Sequence, residues 1–227
     1  MEVVLHASDS EADDFIIEGF RDFASDLDLN VDLDSRLHAG GLCFIPMRSP
    51  RDTLESLAQY SFLRVIRRMA SLSLNESFLR TSGVPGSFKV RLPSAGPMNP
   101  DIRAAIFDGG IEPANNPVST WVRPLDAPGI GPVVSAYQAH GLAVTSALLF
   151  GPLRPDVEAP IPFSRIDHWR VLDANTKGND FELMDVLKRI LSILRQREYD
   201  FVCLAIGPAD PIEDDPVHVW TSTLDAY

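Results

Sequence analysis

Apolar positions recur along the chain with two periods, and the switches between them outline the elements. Glu2 to His6 reads as a short strand. Phe15, Ile16, Phe20, Phe23 and Leu27 then return at helical spacing with Glu18, Asp22 and Asp26 turned outward, which predicts an amphipathic helix of about four turns. Val31, Leu33 and Leu37 alternate with acids, as in a half-exposed strand, and Gly40-Gly41 turns this into a second strand, Leu42 to Met47. Ser49-Pro50-Arg51-Asp52 is a helix start, with a capping serine and proline at the first helical position. The helix it opens carries Leu54, Ala58, Phe62, Val65, Ile66 and Met69 inward, and Leu74 to Arg80 supplies a last strand. The order strand, helix, strand, strand, helix, strand is that of a small ferredoxin-like α+β domain.

Thr81 to Pro100 is rich in Gly, Pro and Ser and marks a linker, although Ser87 to Leu92 has the pattern of an edge strand. Beyond it the rhythm changes. Ile102 to Phe107 is a buried strand with Asp108 at its carboxyl tip. A long excursion dense in Pro, Gly and Asn follows, pinned by Trp121, with Glu112 and Asp126 assigned to solvent. A small, apolar stretch from Leu142 to Leu149 is read as a buried helix with His140 at its amino end. Ile166 to Leu172, a polar turn from Asp173 to Gly178, a helix facing inward with Phe181, Met184, Leu187, Ile190, Leu191 and Leu194, and the apolar run Phe201 to Ile206 form a strand-helix-strand unit. The last run has the pattern of a parallel strand covered on both faces. Trp220 to Tyr227 opens a further helix. The expected architecture is an α/β protein: a small α+β domain over residues 1–80, a linker over 81–100, and a parallel-sheet domain over 101–227.

An apolar share of 45% and a charged share of 23% are those of an ordinary globular chain. A net charge of -12 argues against nucleic-acid binding, which needs a basic stripe, as the chain's main business. Arg64, Arg67 and Arg68 form a basic cluster that reads as the solvated face of a helix. With no apolar run of spanning length and an acidic start rather than a signal peptide, no membrane association is expected and the protein is placed in the cytoplasm. Cys43 and Cys203 stand far apart without metal-ligand spacing, and the histidines form no paired-ligand motif. Asp210, Glu213, Asp214 and Asp215 make an acidic run that fits no calcium-loop pattern, so no cofactor is expected and calcium has no motif to support it.

The chemistry gathers at two residues. An acid at the carboxyl tip of a sheet strand sits where open α/β sheets bind ligands. A histidine moves protons near neutral pH when its second ring nitrogen is held by a partner. Ala105-Ile106-Phe107-Asp108-Gly109-Gly110 resembles the Asp motif of the subtilisin-like serine peptidases, and His140-Gly141-Leu142-Ala143-Val144-Thr145-Ser146 resembles their His motif. Gly109 stands where Ser or Thr is usual, and Leu142 where Thr is usual. The order Asp then His also fits a triad whose serine comes last.

The resemblance implies that Asp108 orients His140 and that His140 is the general base. Trp169 to Leu172 and Val202 to Gly207 resemble the stretch that lines the substrate cleft of that family, with Ala205 in place of a serine. Leu172, Ala205, Ile206 and Gly207 are therefore the expected peptide-binding positions, and the first domain, which resembles a subtilase prodomain in element order alone, is read either as such a prodomain or as a plain accessory or interaction domain. Nothing after His140 resembles the Gly-Thr-Ser-x-Ala serine motif. The resemblance thus covers an amino-terminal part only, about Asp101 to Tyr227. Its expected partners are a peptide or protein substrate and a serine-bearing part in cis or in trans. A non-catalytic peptide-binding or regulatory module on a truncated fold is the alternative.

Overall fold

The computed structural model describes residues 1–73, 90–113, 116–176, 178–209 and 217–227. The chain divides into two compact units, Met1–Ser71 with Pro208–Tyr227, and Leu72–Gly207.

In the first unit the order is Glu2–Leu5 (β1), Asp14–Ser25 (α1), Leu37–Ala39 (β2), Leu42–Pro46 (β3), Leu54–Leu57 (α2) and Leu63–Arg67 (β4). The strands form one antiparallel sheet in the order β2-β3-β1-β4. Gly40 and Gly41 adopt φ of +58° and +76° in the turn between β2 and β3, a region open to glycine at little cost. One face of α1 buries Ile16, Ile17, Phe20 and Ala24 against Val3, Leu5 and Ile45. Phe15, expected inward, is exposed and meets Phe62 edge-on at 5.6 Å.

Three sequence expectations change here. Asn30 to Leu37 is not a continuous strand: Val31 makes a single bridge to Met47, and Leu33–Ser35 is a short 3-10 turn. The helix begun at Ser49 ends at Leu57, and the chain then extends as β4. Phe62, Val65, Ile66 and Met69 sit at helical spacing, but Val65 and Ile66 are β-branched, and the edge of β1 needs backbone partners. Register supplies them, Val4 pairing Val65 and Val3 pairing Ile66. Arg67 therefore lies on a strand rather than a helix face, and its guanidinium pairs with the buried Glu2, Nε to Oε1 at 2.9 Å. Burial pushes the Glu2 carboxyl up, with Arg67 opposing. The strand expected at Leu74–Arg80 lies outside the described residues, as do Asp210, Glu213, Asp214 and Asp215.

The second unit begins at the two-residue strand Leu72–Ser73 (β5) and runs through Arg103–Asp108 (β6), Val122–Asp126 (β7), Ser135–Phe150 (α3), Arg165–Arg170 (β8), Glu182–Leu194 (α4), Phe201–Leu204 (β9) and the start of Gly207–Pro208 (β10). Its main sheet is parallel, in the order β7-β8-β6-β9. β6 is central and buried from Ala104 to Asp108. The excursion after Asp108 contains β7, a strand the sequence hides because Pro124 interrupts it. β7 is an edge strand, where a missing N–H is tolerated.

Trp121 is buried at 2% exposure, stacks edge-on against Phe150 with centroids 5.5 Å apart, and donates its indole N–H to Ala95 O at 3.0 Å. With Ala104, Ile106, Val122, Leu149 and Ile166 it forms the core under α3. α4 is strongly amphipathic and buries Met184, Leu187, Ile190, Leu191 and Leu194 as the spacing predicts. β9 departs from expectation: it is an edge strand with Phe201 62% and Val202 40% exposed, so its apolar run does not mark burial on both faces.

After Gly207 the chain returns to the first unit. Val219–Asp225 (α5) buries Val219 and Trp220 and packs on β2. The sequence pattern places this helix in the second domain, whereas the compact units group it with the first. Among the described residues no helix is long and apolar enough to cross a membrane.

Candidate functional site

The strand order reverses direction at β6. Its chain continues to β7 on one side, and β9 pairs on the other, so its carboxyl end opens on a topological switch point. Asp108 is the last residue of β6 and is fully buried. Its main-chain carbonyl accepts from Val171 N at 2.8 Å, and the Gly109 N–H donates to Oδ1 at 2.6 Å, which fixes the carboxylate plane.

Glycines let α3 settle onto this tip. Gly110 has φ of +86°, and a Cβ there would lie 2.9–3.1 Å from the methylenes of Arg170. A Cβ on Gly141 would run into the carbonyl of Gly110, with its carbon 3.1 Å away. The helix backbone therefore touches the loop backbone, and the residue before Gly141 is delivered to the acid.

That residue is His140. Its Nδ1 lies 2.9 Å from Asp108 Oδ1 and 2.8 Å from Oδ2. A carboxylate only accepts, so the imidazole proton sits on Nδ1 and the Nε2 lone pair is left free to take one up. The hydrogen bond that His140 donates to Asp108 raises its pKa above the ordinary 6.5, with burial opposing and the carboxylate charge adding. The side chain keeps 15% exposure, so the ring remains reachable from solvent. Helix α3 begins at Ser135, so His140 stands in its second turn rather than at its amino end. The helix is also less buried than its composition suggests, with Leu148 49% exposed.

Around the pair the loops are held by ion pairs. Arg170, 6% exposed, grips Asp126 through Nε and Nη2 at 2.8 Å each and donates to Gly131 O at 2.7 Å. Asp126 therefore has a structural partner and is not simply solvated. The Arg170 hydrogen bond holds its carboxyl below the usual range against a burial effect in the other direction. Asp173 is buried, which alone would push its carboxyl up. The Gly131 N–H, the Thr176 hydroxyl, Arg189 and the Asn175 N–H outweigh that and leave it lowered. This hub ties the loop before α3 to the turn after β8.

Leu172 and the segment Ala205 to Gly207 lie just beyond the carboxyl ends of β8 and β9, the two strands that flank β6. Leu172 and Ile206 are buried at 2% and 5% exposure, while Ala205 and Gly207 are half-buried. A side chain at Gly207 would meet nothing within 4 Å, and the residue opens β10, which pairs with β5. All six expected positions thus gather at one edge of the sheet, and Asp108 and His140 are in contact.

One polar pair beneath the site has no counterpart among those six. His168 on β8 is fully buried and its Nδ1 lies 2.8 Å from the hydroxyl of Thr145 on α3. Burial pushes the His168 pKa down to about 4, with Asp108 opposing and His140 adding, so the ring is neutral at physiological pH. Period-two alternation carries the signal: His168 shares a face with Ile166, and a strand that buries Ile166 buries His168.

An apolar cavity of about 300 Å³, lined by Ala104, Leu148, Phe163, Ile166, Phe201 and Cys203, lies toward the amino end of the strands and is separate from Asp108. Among the described residues no group of three or more His, Cys, Asp or Glu is placed to hold a metal ion. No protein-family model, curated protein or solved structure matches the chain.

Proposed function

We propose that Asp108 and His140 are the orienting acid and the general base of a subtilisin-like Asp-His-Ser triad. On this reading the chain is part of a serine endopeptidase that hydrolyses peptide bonds once a serine-bearing part is supplied in cis or in trans. The observation that carries the reading is the contact of His140 Nδ1 with both oxygens of a fully buried carboxylate. Held so, the ring presents Nε2 to a nucleophile, takes its proton as the hydroxyl attacks a peptide carbonyl, and returns it to the leaving amine. Asp108 stabilises the imidazolium formed in between. Leu172 and Ala205 to Gly207 shape the peptide cleft, where the backbone at Gly207 pairs with an extended substrate as an added strand. The amino-terminal segment Met1–Ser71 acts as a ferredoxin-like prodomain, a role supported by analogy through its element and sheet order.

One observation favours a second reading, a peptide-binding module without catalysis. Among the described residues no hydroxyl or thiol is hydrogen-bonded to His140. Without a nucleophile the covalent route is closed, so this chain by itself has no hydrolytic activity that His140→Ala removes.

The intact mass of the native gene product, captured from its source cells, separates the two. A mass well above 25.0 kDa, with a Gly-Thr-Ser-x-Ala serine found by peptide mapping, supports the peptidase. A mass of 25.0 kDa with no serine-bearing partner bound supports the binding module.

A further inference from the structure

His168 and Thr145 invite explanation because both are polar and both have no exposed surface. Gly141, Thr145 and Leu149 recur at four-residue spacing and form the stripe that α3 buries. Leu149 packs in the core, while Gly141 meets the Gly110 carbonyl. Thr145 alone of the three makes a side-chain hydrogen bond, and it does so with His168.

His168 stands beside Ile106 in the register of β6 and β8, two residues before the level of Asp108. Its Cε1 lies 3.1 Å from where a Cβ on Gly141 would be. The imidazole therefore touches α3 at two points, one of them at the residue following His140. Among the described residues its Nε2 has no hydrogen-bond partner, a desolvation cost that an apolar side chain of similar size would avoid. Apolar contacts let a helix slide along a sheet by fractions of an ångström. A hydrogen bond from strand to helix is directional and does not.

We propose that His168 is a positioning residue for His140: through Thr145 it fixes where α3 rests on β8, and so keeps His140 Nδ1 on the Asp108 carboxylate. The proposal rests on the reading of Asp108 and His140 as a functional pair. It requires no nucleophile and no substrate. Asp108 and His140 are the charged or titratable groups that act on the His168 ring, and the ring stays neutral throughout the pH range in which His140 titrates.

The test is a histidine-ring NMR titration of the full 227-residue chain, with circular dichroism as the check on folding. Thr145→Val keeps shape and removes the hydroxyl. His168→Leu removes the ring, and His168→Asn restores a polar group near the Nδ1 position. The expected result is a fall in the His140 pKa of about half a unit or more in folded Thr145→Val and His168→Leu, with recovery in His168→Asn. Should His168→Leu fail to fold, Thr145→Val decides alone. An unchanged His140 pKa in folded Thr145→Val overturns the proposal and leaves His168 as core filling. A wild-type His140 pKa that is not raised would instead overturn the dyad itself, so the two failures are distinguishable.

Discussion

Replacing Gly141 by alanine is the smallest change that separates the dyad. The new methyl would lie 3.1 Å from both the carbonyl carbon of Gly110 and His168 Cε1, and inside contact distance of the carbonyl oxygen. Gly110 is itself packed on Arg170, so α3 must back away by about 1 Å to regain ordinary contact distances. His140 Nδ1 starts 2.8–2.9 Å from the Asp108 oxygens, and that displacement carries it beyond hydrogen-bond range.

Overpacking costs about 1–3 kcal/mol and the lost charge-assisted bond about 1.5–3 kcal/mol. Alanine returns about 1 kcal/mol of helix propensity. The net expectation is a loss of about 1.5–5 kcal/mol in urea denaturation, with the His140 pKa falling toward 6.5 in an NMR titration. Gly96→Ala is the control, since a Cβ there meets nothing within 4 Å and should change stability by under about 0.5 kcal/mol. If Gly141→Ala matches the control in both stability and His140 pKa, close backbone approach is not what holds the pair together.

Asp108→Asn keeps the shape and removes the charge. Gly109 N–H and His140 Nδ1 both bond Oδ1, so the amide oxygen keeps that position and the contact, while loss of the carboxylate charge lowers the His140 pKa, as an NMR titration would show. The folded pKa of His140 is raised, so its pairing contributes in full below pH 6.5 and is lost as pH rises through the folded value. Asp108→Asn abolishes that slope in stability measured against pH. Arg170→Met removes the grip on Asp126 and Gly131 and should cost about 2 kcal/mol in chemical denaturation. The Asp126 pairing it deletes is present above pH 3.8 and lost as pH falls through the depressed folded value, so the variant is also less sensitive to acid in that window. Trp121→Ala empties the core under α3, with an expected loss of about 3–5 kcal/mol and earlier proteolysis of the loop after Asp108.

Where one face of an element is buried and its period is unbroken, the chain announces its structure. β6, α1 and α4 are legible on that ground, and the acid at the tip of β6 with them. β7 is hidden because proline breaks its pattern, and only its edge position makes that tolerable. β4 is misread because residues at helical spacing also fit a strand when β-branched and beside an unpaired edge. The spacing of Asp108 and His140 says nothing of their distance, which depends on two glycines, Gly110 and Gly141, whose tight contacts are tertiary facts. Alternation with Ile166 marks His168 as a buried position but says nothing of its partner. It becomes meaningful only once β8 and α3 are seen to meet there.

The most direct test of the peptidase reading is stoichiometric labelling of the native gene product by a fluorophosphonate, a reagent that phosphonylates an activated serine. An Asp108–His140 triad predicts one labelled serine outside residues 1–227, with labelling lost on the order of 10³-fold or more in His140→Ala and Asp108→Asn. No labelled serine, or labelling that both variants leave unchanged, would contradict it.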